Sequence, residues 1–429
     1  MSTATIHVGD CREVLRSLPA RSVQTVVTSP PYWGLRAYLD EADAAKASEI
    51  GLERTPEEWV RKIVDVFRDV RRVLRDDGTA WVNLGDCFYG PKNFSGTFES
   101  TDGVFDRRRT RLGILSGAKN CGPHPTIKEK DLVGQAWMAA LALRDDGWYL
   151  RADIVWAKPN PMPESITDRL TRAHEFVFLL AKRPCYFFDH IAIKEPCVGP
   201  AEDNTAEDHA RAFSRKRKAS AQPRQGLAKP RTRTYATDAQ GRHDGLGRSN
   251  IPWDPAPTRN KRDVWTIPPK PFRDAHFATY PPALVEPCIL AGTSAHGCCS
   301  VCGAPWGRVL SAASGGSIGE SWHDHADDLV RGQRKGGNAN DGTYRPPETL
   351  GWAASCECAT GLLASAERPR VVPCTVLDPF NGAGTTGLVA AQLGRSYIGV
   401  ELKREYAEMA QARIQRAGHT VLIAEAAHA

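Results

Sequence analysis

A chain of 429 residues with 41% hydrophobic content can bury a large core, and its length suits one large domain carrying insertions, or two domains. The net charge of +6, from 56 Lys and Arg against 50 Asp and Glu, is too modest to identify a partner by itself, so the placement of charge matters more than its sum. No apolar stretch approaches the roughly 20 residues needed to span a bilayer, and no basic segment followed by an apolar signal core opens the chain. A cytoplasmic protein with no membrane partner is therefore expected.

From the N-terminus, Ile6-His7-Val8 predicts a short strand, and Gly9-Asp10-Cys11 a turn into a helix through Val14 and Leu15, with Asp10 suited to cap it. The apolar run Val23-Gln24-Thr25-Val26-Val27 predicts a second strand that breaks abruptly into Thr28-Ser29-Pro30-Pro31-Tyr32-Trp33. Two prolines stiffen this exit, so a hydroxyl, carbonyls and an aromatic face are held together at a strand end, as a rigid pocket for a flat polar group requires. Trp59, Ile63, Val66, Phe67, Val70, Val73 and Leu74 fall at helical spacing, and Asp76-Asp77-Gly78 is read as the stop before a strand over 79–84. Leu132, Val133, Ala136, Trp137, Ala140 and Leu141 form another helical stripe. Strands follow at 150–156, 175–180 and 186–188, the last two read as a hairpin around Lys182-Arg183-Pro184. Trp156-Ala157-Lys158-Pro159-Asn160-Pro161 leaves one of these strands, and Arg172-Ala173-His174-Glu175 precedes the next.

Residues 86–128 and 195–262 are rich in Gly, Pro and charge without a clear period, and are read as insertions. The second holds nine Lys or Arg and no acid between Arg211 and Tyr235, including Arg215, Lys216, Arg217, Lys218, Arg231 and Arg233, a composition suited to phosphate contact. Twelve cysteines in an intracellular protein are poor candidates for disulfides. Cys299-Ser300-Val301-Cys302-Gly303 has the spacing at which two thiolates bite one metal ion, and Cys356-Glu357-Cys358 follows after 53 residues, so Cys299, Cys302, Cys356 and Cys358 are read as a structural zinc site. Cys298 competes with Cys299 in that reading, and His296 or His323 with one of the other ligands.

Near the C-terminus, Val376-Leu377-Asp378-Pro379-Phe380-Asn381-Gly382-Ala383-Gly384-Thr385-Thr386-Gly387 reads as a strand, a glycine turn and a helix start. A further strand over 396–400 ends in Glu401, and a helix runs from about 403 to 416. Glycines allow backbone to approach a ligand, a helix start offers free amides to a carboxylate, and an acid some twenty residues on can accept from two ribose hydroxyls. Gly382, Gly384 and Gly387 also satisfy the dinucleotide spacing, so a nicotinamide-dependent oxidoreductase competes. Only 42 residues follow Gly387, too few to complete such a domain downstream; the missing strands must come from upstream.

The hexapeptide 28–33 followed far downstream by the glycine loop resembles the beta-group, permuted DNA amino-methyltransferases, over most of residues 5–195 and 263–417. The resemblance implies an α/β, permuted Rossmann-like S-adenosylmethionine-dependent methyltransferase fold with a target-recognition insertion and a small zinc-binding insertion. On it, 1–195 carries the catalytic motif, 196–262 is the basic insertion for target recognition and 263–292 flanks the cofactor. Residues 293–362 are the zinc insertion and 363–429 the cofactor-binding part. The catalytic residues implied are Ser29, Pro30, Pro31 and Tyr32. Asp10 would accept from the cofactor's adenine amine, Phe277 or a neighbour in 276–285 would touch its methionine portion, and Asp378, Gly382, Gly384 and Glu401 would hold it, together with Cys11, Thr28, Phe380, Asn381, Thr385 and Thr386. Serine before Pro-Pro correlates in that family with cytosine, and Asp or Asn with adenine. The reading is thus methyl transfer from S-adenosylmethionine to the 4-amino nitrogen of cytosine in double-stranded DNA, by base flipping and direct attack, in the company of a cognate restriction endonuclease. The competitors are the 6-amino nitrogen of adenine, the oxidoreductase, and a zinc-bearing DNA-binding protein without activity.

Overall fold

The structure, a computed structural model, describes residues 2–35, 37–40, 42–90, 124–196, 258–269, 279–312, 347–359 and 370–425. The Phe277 position, His323 and the basic residues Arg215, Lys216, Arg217, Lys218, Arg231 and Arg233 lie outside them. The strands in chain order are β1 (Ala4–Val8), β2 (Val23–Thr28), β3 (Leu74–Leu84), β4 (Tyr149–Ala157), β5 (His174–Ala181), β6 (Glu195–Pro196), β7 (Thr258–Arg259), β8 (Val264–Thr266), β9 (Cys298–Cys299), β10 (Gly307–Leu310), β11 (Thr349–Ala353), β12 (Val371–Val372), β13 (Thr375–Asp378), β14 (Ser396–Glu401) and β15 (Val421–Glu425). The α-helices are α1 (Cys11–Ser17), α2 (Pro56–Val73), α3 (Gln135–Asp145), α4 (Pro282–Gly292), α5 (Thr385–Gln392) and α6 (Arg404–Arg416).

A nine-stranded mixed sheet runs in the order β15-β1-β14-β13-β2-β3-β5-β4-β8. From β15 to β3 the neighbours are parallel, and β5 alone is antiparallel to both of its neighbours, β3 and β4. The central β2 is buried along its whole length, as expected of a strand covered on both faces. One apolar layer packs α1, α2 and α3 on the sheet and a second packs α4, α5 and α6 on the other face. Strand β13, from the C-terminal part of the chain, lies between β14 and β2, so chain from the two ends of the sequence meets at the middle of the sheet. From β13 the chain crosses to β14 on one side, and from β2 to β3 on the other, which makes the β13/β2 boundary the switch point where an open α/β sheet binds its ligands.

Several local expectations change. Helix α2 is capped by Thr55, whose side chain accepts from Glu58 N–H at 3.2 Å, and begins with Pro56. It ends at Val73 and passes straight into β3, so Asp76-Asp77-Gly78 lie inside the strand and Asp76 pairs with Lys182 and Arg183. Helix α3 starts after Leu132 and Val133, because Gly134 adopts φ +77 and Asp86 accepts from the N–H groups of Gly134 and Gln135 at 2.9 and 3.1 Å. The hairpin expected of 175–180 and 186–188 does not form. Both edges of β5 are occupied by β3 and β4, and the Phe187 N–H donates to the Asp77 carbonyl instead. Strands β8 and β15, at the two edges of the sheet, are additional to those expected.

Two compact units emerge, one of residues 1–193, 261–309 and 351–429, the other of 194–260 and 310–350. In the second, the described residues include the β6–β7 pairing of Glu195 with Arg259 and Pro196 with Thr258. Among the described residues no helix is long and apolar enough to cross a membrane.

Candidate active site

Strand direction decides which residues meet. The parallel strands β1, β2, β3, β13 and β14 deliver their carboxyl ends, hence Asp10, Ser29, Gly85, Pro379 and Glu401, to one edge, while the reversed β5 delivers its first residues, His174 and Glu175. At this edge lies a cavity of about 580 Å³. Its walls include Gly9, Asp10, Cys11, Phe380, Gly382 and Glu401 on one side, and Ser29, Pro30, Pro31, Tyr32, Trp156 and Glu175 on the other.

The two halves are joined beneath the cavity by Asp378. It is fully buried, and its carboxylate accepts from the Thr28 hydroxyl at 2.6 Å, the Thr386 hydroxyl at 2.7 Å, the Tyr280 hydroxyl at 3.0 Å and the Phe380 N–H at 3.0 Å. Burial raises its pKa in spite of these donors. Thr28, Asp378 and Thr386, taken from the sequence as cofactor contacts, thus form a knot under the cavity floor that fixes β2 to β13 and α5. Gly384, at φ +73, caps α5; a side chain there would put its Cβ 2.6 Å from Ala410 Cβ, so this glycine serves helix packing. Asn381 is buried, accepting from the Tyr397 hydroxyl at 2.7 Å and donating to the Gly382 carbonyl at 3.0 Å.

Glu401 accepts from the N–H of Gly382 at 2.7 Å and from that of Lys403 at 3.0 Å, and so shapes the glycine loop across the end of β14. Burial lifts its pKa to about 7, against the lowering effect of those N–H donors. Asp10 accepts from the Arg12 N–H at 2.9 Å as the cap of α1 and is ion-paired with the Arg12 guanidinium, while the Gly9 N–H donates to the Glu401 carbonyl at 2.9 Å. The capping expected of Asp10 is therefore present, and Cys11 beside it is a buried thiol pushed up to about 12.

On the other side, the Pro31 carbonyl accepts from Trp59 Nε1 at 2.9 Å, and Trp33, 1% exposed, is tied by its N–H to Gln135 Oε1 at 2.9 Å. The hexapeptide is thereby clamped between α2 and α3. Ser29 Oγ donates to the Tyr32 hydroxyl at 3.5 Å, and Tyr32 donates to Glu175 Oε2 at 2.8 Å. Asn83 Nδ2 donates to the same oxygen at 3.2 Å, and Lys158 pairs with Oε1 while its ammonium stands 4.3 Å from the centre of the Trp156 ring. Burial first, then the Glu175 charge, hold the Tyr32 phenol well above its ordinary pKa. Glu175 and Asn83 were not assigned roles from sequence, and Tyr280, within the segment 276–285 expected beside the cofactor, lines the cavity and joins the Asp378 knot. The usable signal for Glu175 is its place at the head of a strand; the strand's reversal, which brings it here, is not written locally.

Away from the cavity, the Sγ atoms of Cys299, Cys302, Cys356 and Cys358 all lie within 4.8 Å of one another. Four thiolates around one zinc stand about 3.8 Å apart, given a Zn–S distance near 2.3 Å and a tetrahedral angle, so the donor set fits that ion. Cys298 faces the other way, as alternation along β9 demands, with Sγ 3.6 Å from the Pro373 carbonyl, and His296 stacks on Trp352 and lies tilted against Trp306. Gly303, at φ +71, turns the first Cys pair; Gln24 Nε2 donates to its carbonyl at 3.0 Å, and Arg75 donates to the Cys302 carbonyl. Gln24 and Arg75 start their strands, so the cluster is seated at the sheet edge opposite Ser29.

Three comparisons bear on this arrangement. The N6/N4 methyltransferase family described as DNA methylase matches residues 23–299 and 374–412. Type II methyltransferase M.XycI of Xanthomonas campestris pv. cyanopsidis is 32% identical over 98% of this chain and 90% of its own length, and M.Cfr9I of Citrobacter freundii is 32% identical over 97% and 89%. M.SmaI of Serratia marcescens is 31% identical over 97% and 92%. Among solved structures, the cytosine-N4-specific PvuII DNA methyltransferase aligns over 98% of this chain and 96% of its own, at 14% identity and a TM-score of 0.46.

Proposed function

We propose that this chain, which belongs to the N6/N4 DNA methylase family and is an S-adenosylmethionine-dependent DNA methyltransferase, methylates the 4-amino nitrogen of cytosine in duplex DNA. Membership removes the nicotinamide oxidoreductase and the inactive DNA-binding protein as competitors. The observation that carries the proposal is the convergence, on one cavity, of the glycine loop with Glu401 and of Ser29-Pro30-Pro31-Tyr32, tied together through Thr28 and Asp378. Serine at the position before Pro-Pro supports cytosine over adenine.

The residues available to hold the cofactor are Gly382, Phe380, Thr385 and Glu401, with Asp10 and Cys11 on the same side of the cavity. When bound, S-adenosylmethionine supplies an electrophilic methyl group, so this chain needs to orient the amine and localise its lone pair more than to supply a strong base. Hydrogen bonds from the amine to the Ser29 hydroxyl and the Pro30 carbonyl would draw the nitrogen toward tetrahedral geometry, with Tyr32 against the base. A paired base hides its amine, so the target is flipped into the cavity at a cost of a few kcal/mol. The basic segment with Arg215–Lys218, Arg231 and Arg233 is read as a phosphate-binding element, the four cysteines as a structural zinc site, and a cognate restriction endonuclease as the functional partner.

Nucleoside mass spectrometry of duplex DNA after incubation with enzyme and cofactor tests the reading. Methyl on N4 of cytosine is expected. Methyl on N6 of adenine would change only the base, and methyl on ring carbon 5 of cytosine would overturn the mechanism. Ser29→Ala should lower the single-turnover rate with little change in cofactor affinity.

A further inference from the structure

Attack by an exocyclic amine leaves the nitrogen positively charged, and one N–H proton must depart. A serine hydroxyl can accept that proton only if it passes its own onward at the same moment, because a protonated alcohol is a far stronger acid than a carboxylic acid. A carboxylate in the place of Ser29 could keep the proton; Ser29 cannot. The chain therefore needs an acceptor beyond the serine, and the hydrogen bonds run to one: Ser29 Oγ donates to Tyr32 at 3.5 Å, and Tyr32 donates to Glu175 Oε2 at 2.8 Å. We propose that Glu175 is the terminal proton acceptor of methyl transfer, reached through the hydroxyls of Ser29 and Tyr32.

The balance is simple. The nitrogen–methyl bond forms as the sulfur–methyl bond breaks, with that electron pair left on sulfur. The amine proton passes to Ser29 Oγ, the Ser29 proton to the Tyr32 oxygen and the Tyr32 proton to Glu175 Oε2. Glu175 is left neutral and loses the proton to water once product has gone. The surroundings suit the role. Lys158, just past the end of β4, and Asn83 from β3 hold the carboxylate so that Oε2 faces Tyr32, and the phenol, kept well above its ordinary pKa, relays a proton as a neutral hydroxyl. A Cβ at residue 85 would fall 2.7 Å from Tyr32 Cε2 and 3.4 Å from the Glu175 carboxyl carbon, so Gly85 is what lets the two meet. The titratable neighbours are Lys158, Tyr32 and, next along β5, His174.

This relay rests on the amine-methylation reading, whichever base is the target. Single-turnover methyl transfer to duplex DNA, with nucleoside analysis of the wild-type product, separates the two: no N-methyl base from the wild type would defeat the reading itself. Given an N-methyl product, Glu175→Gln should slow transfer by about 100-fold or more, the range for losing a positioned acid or base, with cofactor and DNA affinity unchanged. Glu175→Asp, which keeps a carboxylate, should recover at least part of that loss. Tyr32→Phe should slow transfer to a similar extent, and the double variant should be no slower than the slower single one, because the groups act in series. Wild-type rate in E175Q, or no recovery in E175D together with multiplicative losses in the double variant, would overturn the relay.

Discussion

At the residue scale, the acids at this edge divide into those that build and those positioned to bind. Asp378 has its carboxylate occupied by hydroxyl and N–H donors under the floor, whereas Glu401 lines the cavity with a pKa near 7. If Glu401 accepts the two ribose hydroxyls, the ionised form is the binding form. Below about pH 7 most of the free protein then carries the extra proton, so cofactor affinity should rise by up to about tenfold per pH unit toward neutrality and level off above it. Calorimetry across pH 5.5 to 8.5 checks this, and Glu401→Gln should abolish the dependence. Glu401→Ala should cost about 1.5 to 3 kcal/mol of binding, the range for hydrogen bonds to a charged group. Equal affinity at pH 5.5 and 8 would remove Glu401 from the ribose site. Gly85→Ala tests a different contact: it should displace the Tyr32 ring and lower the transfer rate while leaving cofactor affinity intact.

At the scale of elements, close approach is what the glycines and cysteines purchase in common. Gly384 lets the start of α5 lie against α6, in a left-handed conformation and with no room for a Cβ beside Ala410. Gly384→Ala should destabilise the fold by about 1 to 3 kcal/mol, measured by denaturant unfolding of the cofactor-free protein. The cysteine turn is the second such element. Its two pairs come from chain separated by 53 residues, and a shared ion, as proposed, would give this apolar-poor segment a reason to hold together. Purified protein should carry about one equivalent of zinc, and Cys302→Ser or Cys356→Ser should lose it. A metal-free preparation with full stability and activity would return these residues to ordinary thiols. Because the cluster anchors through Gln24 and Arg75 at the starts of β2 and β3, roughly 16 Å of strand away from Ser29, its loss is expected to act through stability and not through chemistry.

At the scale of the molecule, the proposed function assigns affinity for DNA to the basic segment 211–235 and chemistry on the base to the cavity. Replacing Arg215, Lys216, Arg217 and Lys218 by Gln should weaken duplex binding and flatten its salt dependence by about 0.9 in log–log slope for each phosphate contact removed. Cofactor affinity should be untouched. An unchanged salt slope would mean that this segment does not meet the backbone.

How much of this was legible beforehand follows the range of the forces involved. The Ser-Pro-Pro-Tyr strand exit, the glycine loop, the acid ending β14 and the Cys-x-x-Cys turn are local: fixed φ angles, absent Cβ atoms and ligand spacing act over a few residues, so the local sequence reveals them. The order of the motifs even implied that strands from both ends share a sheet, and β13 does lie between β14 and β2. What the tertiary structure alone decided is pairing at a distance. Only the reversed direction of β5 turns Glu175 from a strand's first residue into the neighbour of Tyr32, Asn83 and Lys158. Only alternation on β9 selects Cys299 over Cys298, and only the meeting of β2 with β13 makes Asp378 a buried knot instead of a cavity wall. Each of these depends on register and direction between segments up to 350 residues apart, and neither quantity is carried by any single segment of the sequence.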